Sequence, residues 1–440
     1  MTGSGGLPDG GGPVDGFSPA LRWFDTSGER ADGVYAGSDG GLDGPAVVLL
    51  DQTRLPAEER ELVCRDVPAL VAAIRSLAVR GAPVLGLAGA YGVALAAARG
   101  EDVEAAAGRL AGARPTAVNL GFGVARALDA HRAAVGSGPR AGAGAALAAA
   151  RELHREDALA SEAMAGEGLR LLRELLPEPG EGRAGWRLLT HCNTGTLVSG
   201  GGGTALAVVR AAHRAGLLER LWVDETRPLW QGARLTAWEA GREGMPYAVL
   251  ADAAAGSLFA AGRVDAVVVG ADRIAADGAV ANKVGTYPLA VLARHHGVPF
   301  LVVAPVSTVD PATPSGAGIV IEEREGDEVT TARPGVRMAP EGAGAYNPAF
   351  DVTPGELVTA VVTERGAVRS SDRERWATLL SEAASGSVPD TGGPADTGNT
   401  GNTGKNSAGR NGANQDQDPS RVGRKQDVDS HDPANGMMKP

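Results

Sequence analysis

The chain has 440 residues, of which 43% are apolar, and a formal charge of −11. That length exceeds what one core usually fills and implies about two domains plus tails, while the acidic balance excludes a general nucleic-acid binder, which carries a basic face. Two cysteines, Cys64 and Cys192, cannot build a disulfide framework, no Cys/His spacing resembles a zinc site, and no apolar run approaches the roughly 18 residues of a membrane-spanning helix.

In chain order, residues 1–17 (MTGSGGLPDGGGPVDGF) have neither the basic start nor the apolar core of a signal peptide, so a disordered extension and a cytoplasmic location are expected. Residues 18–160 read as a smaller, mainly helical N-terminal domain, with one strand signal, AVVLLDQ at Ala46 to Gln52. ERELVCRDV reads as a helix that carries Cys64. In SLAVRGAPVLGLAGAYGVALAAARG, Arg80 and Gly81 precede Pro83, which suits the first turn of a helix. A guanidinium beside free helix-start amides makes a phosphate clamp, although an arginine at a helix cap is also an ordinary surface feature. Arg114 in ARPTAVNL is open to the same two readings.

Residues 161–384 change character. Short apolar runs (RLLTHC, LWVDE, YAVLAD, DAVVVGAD, PFLVVAP) alternate with amphipathic stretches (ALAVVRAAHRAG, GARLTAWEAGRE, AAGSLFAAG, TYPLAVLARHHG). Such alternation implies an α/β domain with a Rossmann-like, doubly wound, mostly parallel sheet. Ligands bind outside the carboxyl ends of the strands in such sheets. Cys192, Asp224 with Glu225, Asp252 and Asp272 follow four successive strand signals and are expected to share one sheet edge. Asp272 beside Arg273 also fits a structural ion pair. From about Ser385 the chain turns to Gly, Asn, Asp, Thr and Pro, and residues 385–440 read as a disordered tail.

The stretch LLTHCNTGTLVSGGGGTAL contains Gly200, Gly202 and Ala205 in a G-x-G-x-x-A spacing, with Asp224 about 20 residues on, as a dinucleotide site would have. That fingerprint needs its first glycine directly after the strand, and here HCNTGTLVS intervenes. No organic cofactor and no metal is expected. The glycines instead suggest room for a phosphorylated ligand beside Cys192. A further signal is lysine usage. Of 42 basic residues only Lys283, Lys405, Lys425 and Lys439 are lysines, and the last three lie in the tail. A compact ammonium retained at Lys283 where arginine prevails elsewhere points to a contact that a planar fork does not serve.

Taken together, VRGAPVLGLAGAYG, RPTAVNL, LTHCNTG, GGGGTAL, DETRPLWQGARLTAWE, GADRIAADGAVANKVGTYPLAVLARHHGVPF and NPAFDVTP occur in the order found in methylthioribose-1-phosphate isomerases. The chain resembles that family over about Leu21 to Ala384. Wider relatives are the ribose-1,5-bisphosphate isomerases and the regulatory subunits of translation initiation factor 2B. The resemblance implies Cys192 and Asp272 as catalytic residues, and Arg80, Gly81, Ala82, Arg114, Gln231, Asn282 and Lys283 as substrate contacts. It also implies a homodimer with a small phosphosugar substrate.

The chemistry asks for such residues. An aldose 1-phosphate is a locked acetal, so ring opening needs an acid at the ring oxygen and isomerisation needs a group at C2. Asp272 must therefore keep a proton near neutral pH, and Cys192 must give one up. Another sugar 1-phosphate, such as ribose 1,5-bisphosphate or a 5-deoxy sugar, is an alternative substrate. A bisphosphate asks for a second basic cluster, whereas VLGLAGAYGVALAA reads as an apolar wall suited to a methylthio group. A noncatalytic regulatory subunit is the other alternative, and the presence of Cys192, Asp272 and Lys283 together argues against it.

Overall fold

The computed structural model describes residues 20–25, 44–114, 117–180, 184–333 and 336–386; the expectations for residues 1–17 and for the tail past Gly386 lie outside them, whereas Ser385 and Gly386, expected in the tail, close a helix. At the N-terminal end, β1 (Leu21–Phe24), β2 (Ala46–Leu50) and β3 (Glu61–Cys64) form an antiparallel sheet. The helix expected around Cys64 is therefore a strand. Its register places Cys64 opposite Val47 and Leu62 opposite Leu49, and pairing with β2 satisfies backbone groups that four residues of helix could not. Helix α1 (Val67–Arg75) starts only after Asp66, whose carboxylate accepts from the Ala69 amide at 2.8 Å.

Helices α2 (Ala82–Ala98), α3 (Val103–Ala111), α4 (Val118–Val135) and α5 (Pro139–Leu175) complete this helical region. Every residue of α2 from Val84 to Ala96 is buried. The apolar run expected to face a substrate is thus the core helix of this region, apolar all round because helices and sheet cover it on all sides. The 37-residue α5 runs continuously past residue 160 and packs on both the other helices and the following sheet region.

The main sheet follows with β4 (Trp186–Thr190), α6 (Ala205–Arg214), β5 (Leu218–Asp224), α7 (Ala237–Arg242), β6 (Tyr247–Leu250), α8 (Ala255–Ala260) and β7 (Ala266–Val269). The chain next forms β8 (Arg273–Ala275), β9 (Val280–Lys283), α9 (Thr286–His296), β10 (Phe300–Val303), β11 (Val309–Asp310), α10 (Asp327–Thr330), β12 (Thr331–Arg333), β13 (Val336–Arg337) and β14 (Phe350–Thr353). It ends with β15 (Ala360–Thr363), β16 (Gly366–Arg369) and α11 (Arg373–Gly386). Seven strands lie in the order β16-β15-β10-β7-β4-β5-β6, all parallel except β16. The expected doubly wound sheet is present. Covered on both faces, β7 and β10 are buried throughout, which is why AVVV and FLVV read as unbroken apolar runs.

The order of the parallel strands reverses between β4 and β7, so a crevice opens there at the carboxyl ends. A second, four-stranded sheet, β11-β8-β9-β14, stands beside it; its strands have two to four residues, too short to announce themselves in sequence. Among the described residues no helix is long and apolar enough to cross a membrane.

Candidate active site

Cys192 follows β4 by two residues and Asp272 follows β7 by three, so they stand on the two sides of the switch point. Arg80 comes to them from the helical region. Its Nη2 lies 3.7 Å from Cys192 Sγ and donates to Asn193 O at 3.4 Å, while Nη1 is buried without a hydrogen-bond partner among the described residues. A buried orphan donor on a charged group is costly unless a ligand completes it. Gly81, at φ +106°, makes the approach possible: a Cβ there would overlap the Val198 side chain, so a side chain would hold the start of α2, and Arg80 with it, away from the cleft. Ala82 opens α2.

Lys283 ends β9. Its ammonium donates to Ala349 O at 2.6 Å and lies 4.2 Å from the Phe350 ring centre. Burial lowers its pKa, against the attraction of Cys192 and Asp272. Asp272 keeps some exposure, yet protein crowds its carboxyl, and that desolvation raises its pKa despite nearby Lys283, Arg114 and Arg80. It does not pair with Arg273, which reaches Asp310 at 3.5 Å. Arg114 lies 3.6 Å from Glu322.

The remaining two expected residues stand differently. Gln231 is buried, with Oε1 lacking a hydrogen-bond partner among the described residues. Asn282 is next to Lys283 on β9, so the two side chains leave opposite faces, and its amide donates to Thr286 Oγ1 at 3.0 Å.

The cations Arg80, Arg114, Lys283 and Arg324 and the carboxyls of Asp272, Glu322 and Glu328 interact electrostatically around the thiol. The site therefore combines a carboxyl, a thiol and a cluster of cations at a sheet edge.

The model of the initiation factor 2 subunit family matches residues 78–370. The chain is 49% identical over 355 residues to a methylthioribose-1-phosphate isomerase of Thioalkalivibrio sulfidiphilus, covering 77% of this chain and 95% of that one. To the enzyme of the same name from Anaeromyxobacter sp. (strain K) it is 53% identical over 340 residues, covering 76% and 94%. The chain belongs to the methylthioribose-1-phosphate isomerase family. The crystal structure of 5-methylthioribose 1-phosphate isomerase from Pyrococcus horikoshii OT3 is similar to it, with a TM-score of 0.67 and 39% identity, covering 77% of this chain and 93% of that one. So is a structure from A. fulgidus described as translation initiation factor eIF-2B, subunit delta, with a TM-score of 0.66 and 41% identity, covering 76% and 97%.

In this family member the glycine-rich loop serves packing. The Gly200 amide donates to Asp157 Oδ2 at 2.6 Å and the Gly201 amide to Ser199 Oγ at 3.0 Å, while His154 and Ala158 of α5 occupy the space that side chains at Gly200 and Gly201 would need. The expectation that these glycines leave room for the ligand is thus corrected: α5 fills the space beside Gly200 and Gly201, Arg210 lies against Gly202, and the Thr194–Gly195 backbone fills the space beside Gly203.

Sequence reasoning missed the groups behind Cys192. His191 is fully buried, with Nδ1 2.9 Å from Asp224 Oδ2 and Nε2 2.8 Å from Val284 O. Since a carbonyl only accepts, Nε2 carries a proton, and a second proton must lie between Nδ1 and Asp224. Burial opposes the imidazolium, but the Asp224 hydrogen bond and charge outweigh it and raise the His191 pKa to about 9. His191, Asp224 and Asp252 bring ligand atoms within 4.8 Å of one another. As a metal site they fit poorly, because both ring nitrogens are used and Asp252 accepts from the Thr226 and Arg227 amides at 2.7 Å each. Glu239 is also fully buried, accepting from Asn193 Nδ2 at 2.6 Å and from Thr196 N at 2.7 Å. Asp224 was visible as a strand-end acid; Glu239 sat in an amphipathic stretch and gave no signal.

Proposed function

We propose that this chain isomerises 5-methylthioribose 1-phosphate to 5-methylthioribulose 1-phosphate, an aldose–ketose step of methionine salvage. The observation that carries this reading is the placement of Cys192 and Asp272 across the β4/β7 switch point, with Arg80 and Lys283 beside them. Arg80, Arg114 and Lys283 hold the phosphate, Gly81 and Ala82 supply helix-start backbone, and Gln231 and Asn282 border the site.

Asp272, whose desolvation favours the acid form, gives its proton to the ring oxygen, and the C1–O bond breaks to leave a phosphorylated oxocarbenium ion. Cys192, as thiolate, takes the C2 proton, and the resulting enol becomes the ketone when C1 is protonated. Arg80 at 3.7 Å compensates a thiolate charge directly. In a 1,2-hydride shift from C2 to C1, Cys192 would only stabilise the cation. Turnover in deuterated water separates these routes, since a pure shift leaves C1 without solvent label. The protein needs no added cofactor, and works as a homodimer in the cytoplasm.

Phosphorus NMR of the purified protein with 5-methylthioribose 1-phosphate tests the reading, with Cys192→Ser and Asp272→Asn as controls. A ketose phosphate that forms with wild type and is lost in both variants is the expected result. No conversion by folded wild type overturns the assignment and turns attention to ribose 1,5-bisphosphate, then to protein partners.

A further inference from the structure

Cys192 has φ +67°, a left-handed conformation that a non-glycine residue adopts only when its surroundings impose it. What imposes it is one segment, residues 224–239, which meets the turn after β4 almost residue by residue. Asp224 meets His191, Thr226 and Thr236 meet Cys192, and Glu239 meets Asn193 and Thr196. The Cys192 amide donates to Thr226 Oγ1 at 2.9 Å, and Thr236 Oγ1 donates to the Cys192 carbonyl at 2.6 Å. Both threonines are fully buried. Thr226 is itself left-handed, at φ +64°, held by its amide on Asp252 and by its hydroxyl donating to Asp224 O at 3.0 Å. Thr236 closes a single π-helical turn, Gly232–Thr236, an insertion that recurs at functional sites.

We propose that Thr226 and Thr236 are positioning residues of the isomerisation, gripping the Cys192 backbone from both sides so that its thiol is set beside Arg80 and Lys283. This rests on Cys192 acting at C2. An ordinary loop turn would need neither a strained cysteine nor two buried hydroxyls aimed at its amide and carbonyl. The π-helical turn brings the second hydroxyl into reach, and Asp252 orients the first.

Thr236→Val keeps the shape and removes the donor, while Thr236→Ser keeps the donor. Two readouts apply: steady-state kinetics, and the rate at which iodoacetamide labels Cys192, located by peptide mass spectrometry. We expect the valine variant to lose about ten- to a hundredfold in kcat with KM changed less than about threefold. Its labelling rate should change by a comparable factor, and serine should restore both. A folded valine variant with wild-type kcat and labelling overturns the proposal. If the valine variant does not fold, the melting temperatures of Cys192→Gly and Cys192→Ala decide. Glycine melting above alanine supports an imposed left-handed turn, and glycine melting no higher overturns it. Full activity in Cys192→Ser sinks the catalytic role of the thiol instead, and the labelling comparison still judges the grip.

Discussion

The guanidinium of Arg80 and the thiol of Cys192 lie 3.7 Å apart although 112 residues separate them. One comes from the helical region and the other from the sheet edge, so packing of α2 against the turn at Thr196–Val198 determines whether the site exists.

Arg80→Lys keeps the charge but loses the fork that reaches Cys192, Asn193 and the open slot at once. Losing one charge-assisted hydrogen bond of about 1.5–3 kcal/mol should raise KM for the phosphosugar roughly ten- to a hundredfold. Titration with inorganic phosphate as a competitive inhibitor should show the same weakening, and an unchanged KM would remove Arg80 from the phosphate site.

Asp272→Asn should lower kcat by about a hundredfold or more while leaving the fold intact. Because burial raises the pKa of Asp272, the acid form persists to higher pH than in an ordinary aspartate, and wild-type kcat should fall as pH rises through that raised value. The same burial disfavours the carboxylate in the folded state. The asparagine variant should therefore melt above wild type, by a margin that grows as pH rises above the ordinary aspartate range and levels off beyond the folded pKa. Calorimetry over pH 4 to 9 checks both signs.

His191 and Asp224 make an opposite prediction. The His191 pKa is raised to about 9, so its pairing stabilises the fold fully below about pH 6.5, and that stabilisation is lost as pH rises through about 9. Asp224→Asn should destabilise the protein by about 3–5 kcal/mol near pH 7, since it removes one member of a buried pair. The gap to wild type should narrow toward pH 10. Melting curves at several pH values would contradict the shared proton if the gap stayed constant.

Cys64 serves as the contrast to Cys192. It sits in β3 against the core, and burial, with Asp66 nearby, pushes its pKa up to about 11. Cys64→Ala should leave kcat and KM unchanged and lower stability by about 1 kcal/mol. Iodoacetamide labelling of wild type should appear at Cys192 well before Cys64, and the reverse order would contradict an unreactive, buried Cys64 thiol.

The parts legible in sequence were those written in periodicity. Five apolar runs from RLLTHC to PFLVVAP became the parallel strands β4, β5, β6, β7 and β10; the runs are unbroken in β7 and β10 because strands buried on both faces need continuous apolar side chains. Their strand-end residues, Cys192, Asp224, Asp252 and Asp272, followed from the same alternation. ELVC misled because four residues carry no period, and only the ladder to β2 makes them a strand. The four glycines after Ser199 misled for a related reason. A glycine permits close approach, but what approaches is decided elsewhere in the chain, here by His154 and Ala158 of α5 at Gly200 and Gly201 and by the Thr194–Gly195 backbone at Gly203.

The sequence by itself determined the residue types available to the chemistry, the strand and helix periods, and, through ordered family blocks, the kinship. Tertiary structure alone decided which groups meet and in what state. The switch point between β4 and β7 depends on strand order, a nonlocal property, and it sets Cys192 and Asp272 in one crevice. The raised pKa of Asp272 comes from desolvation, and that of His191 from the Asp224 hydrogen bond and charge working against desolvation; no linear spacing encodes either.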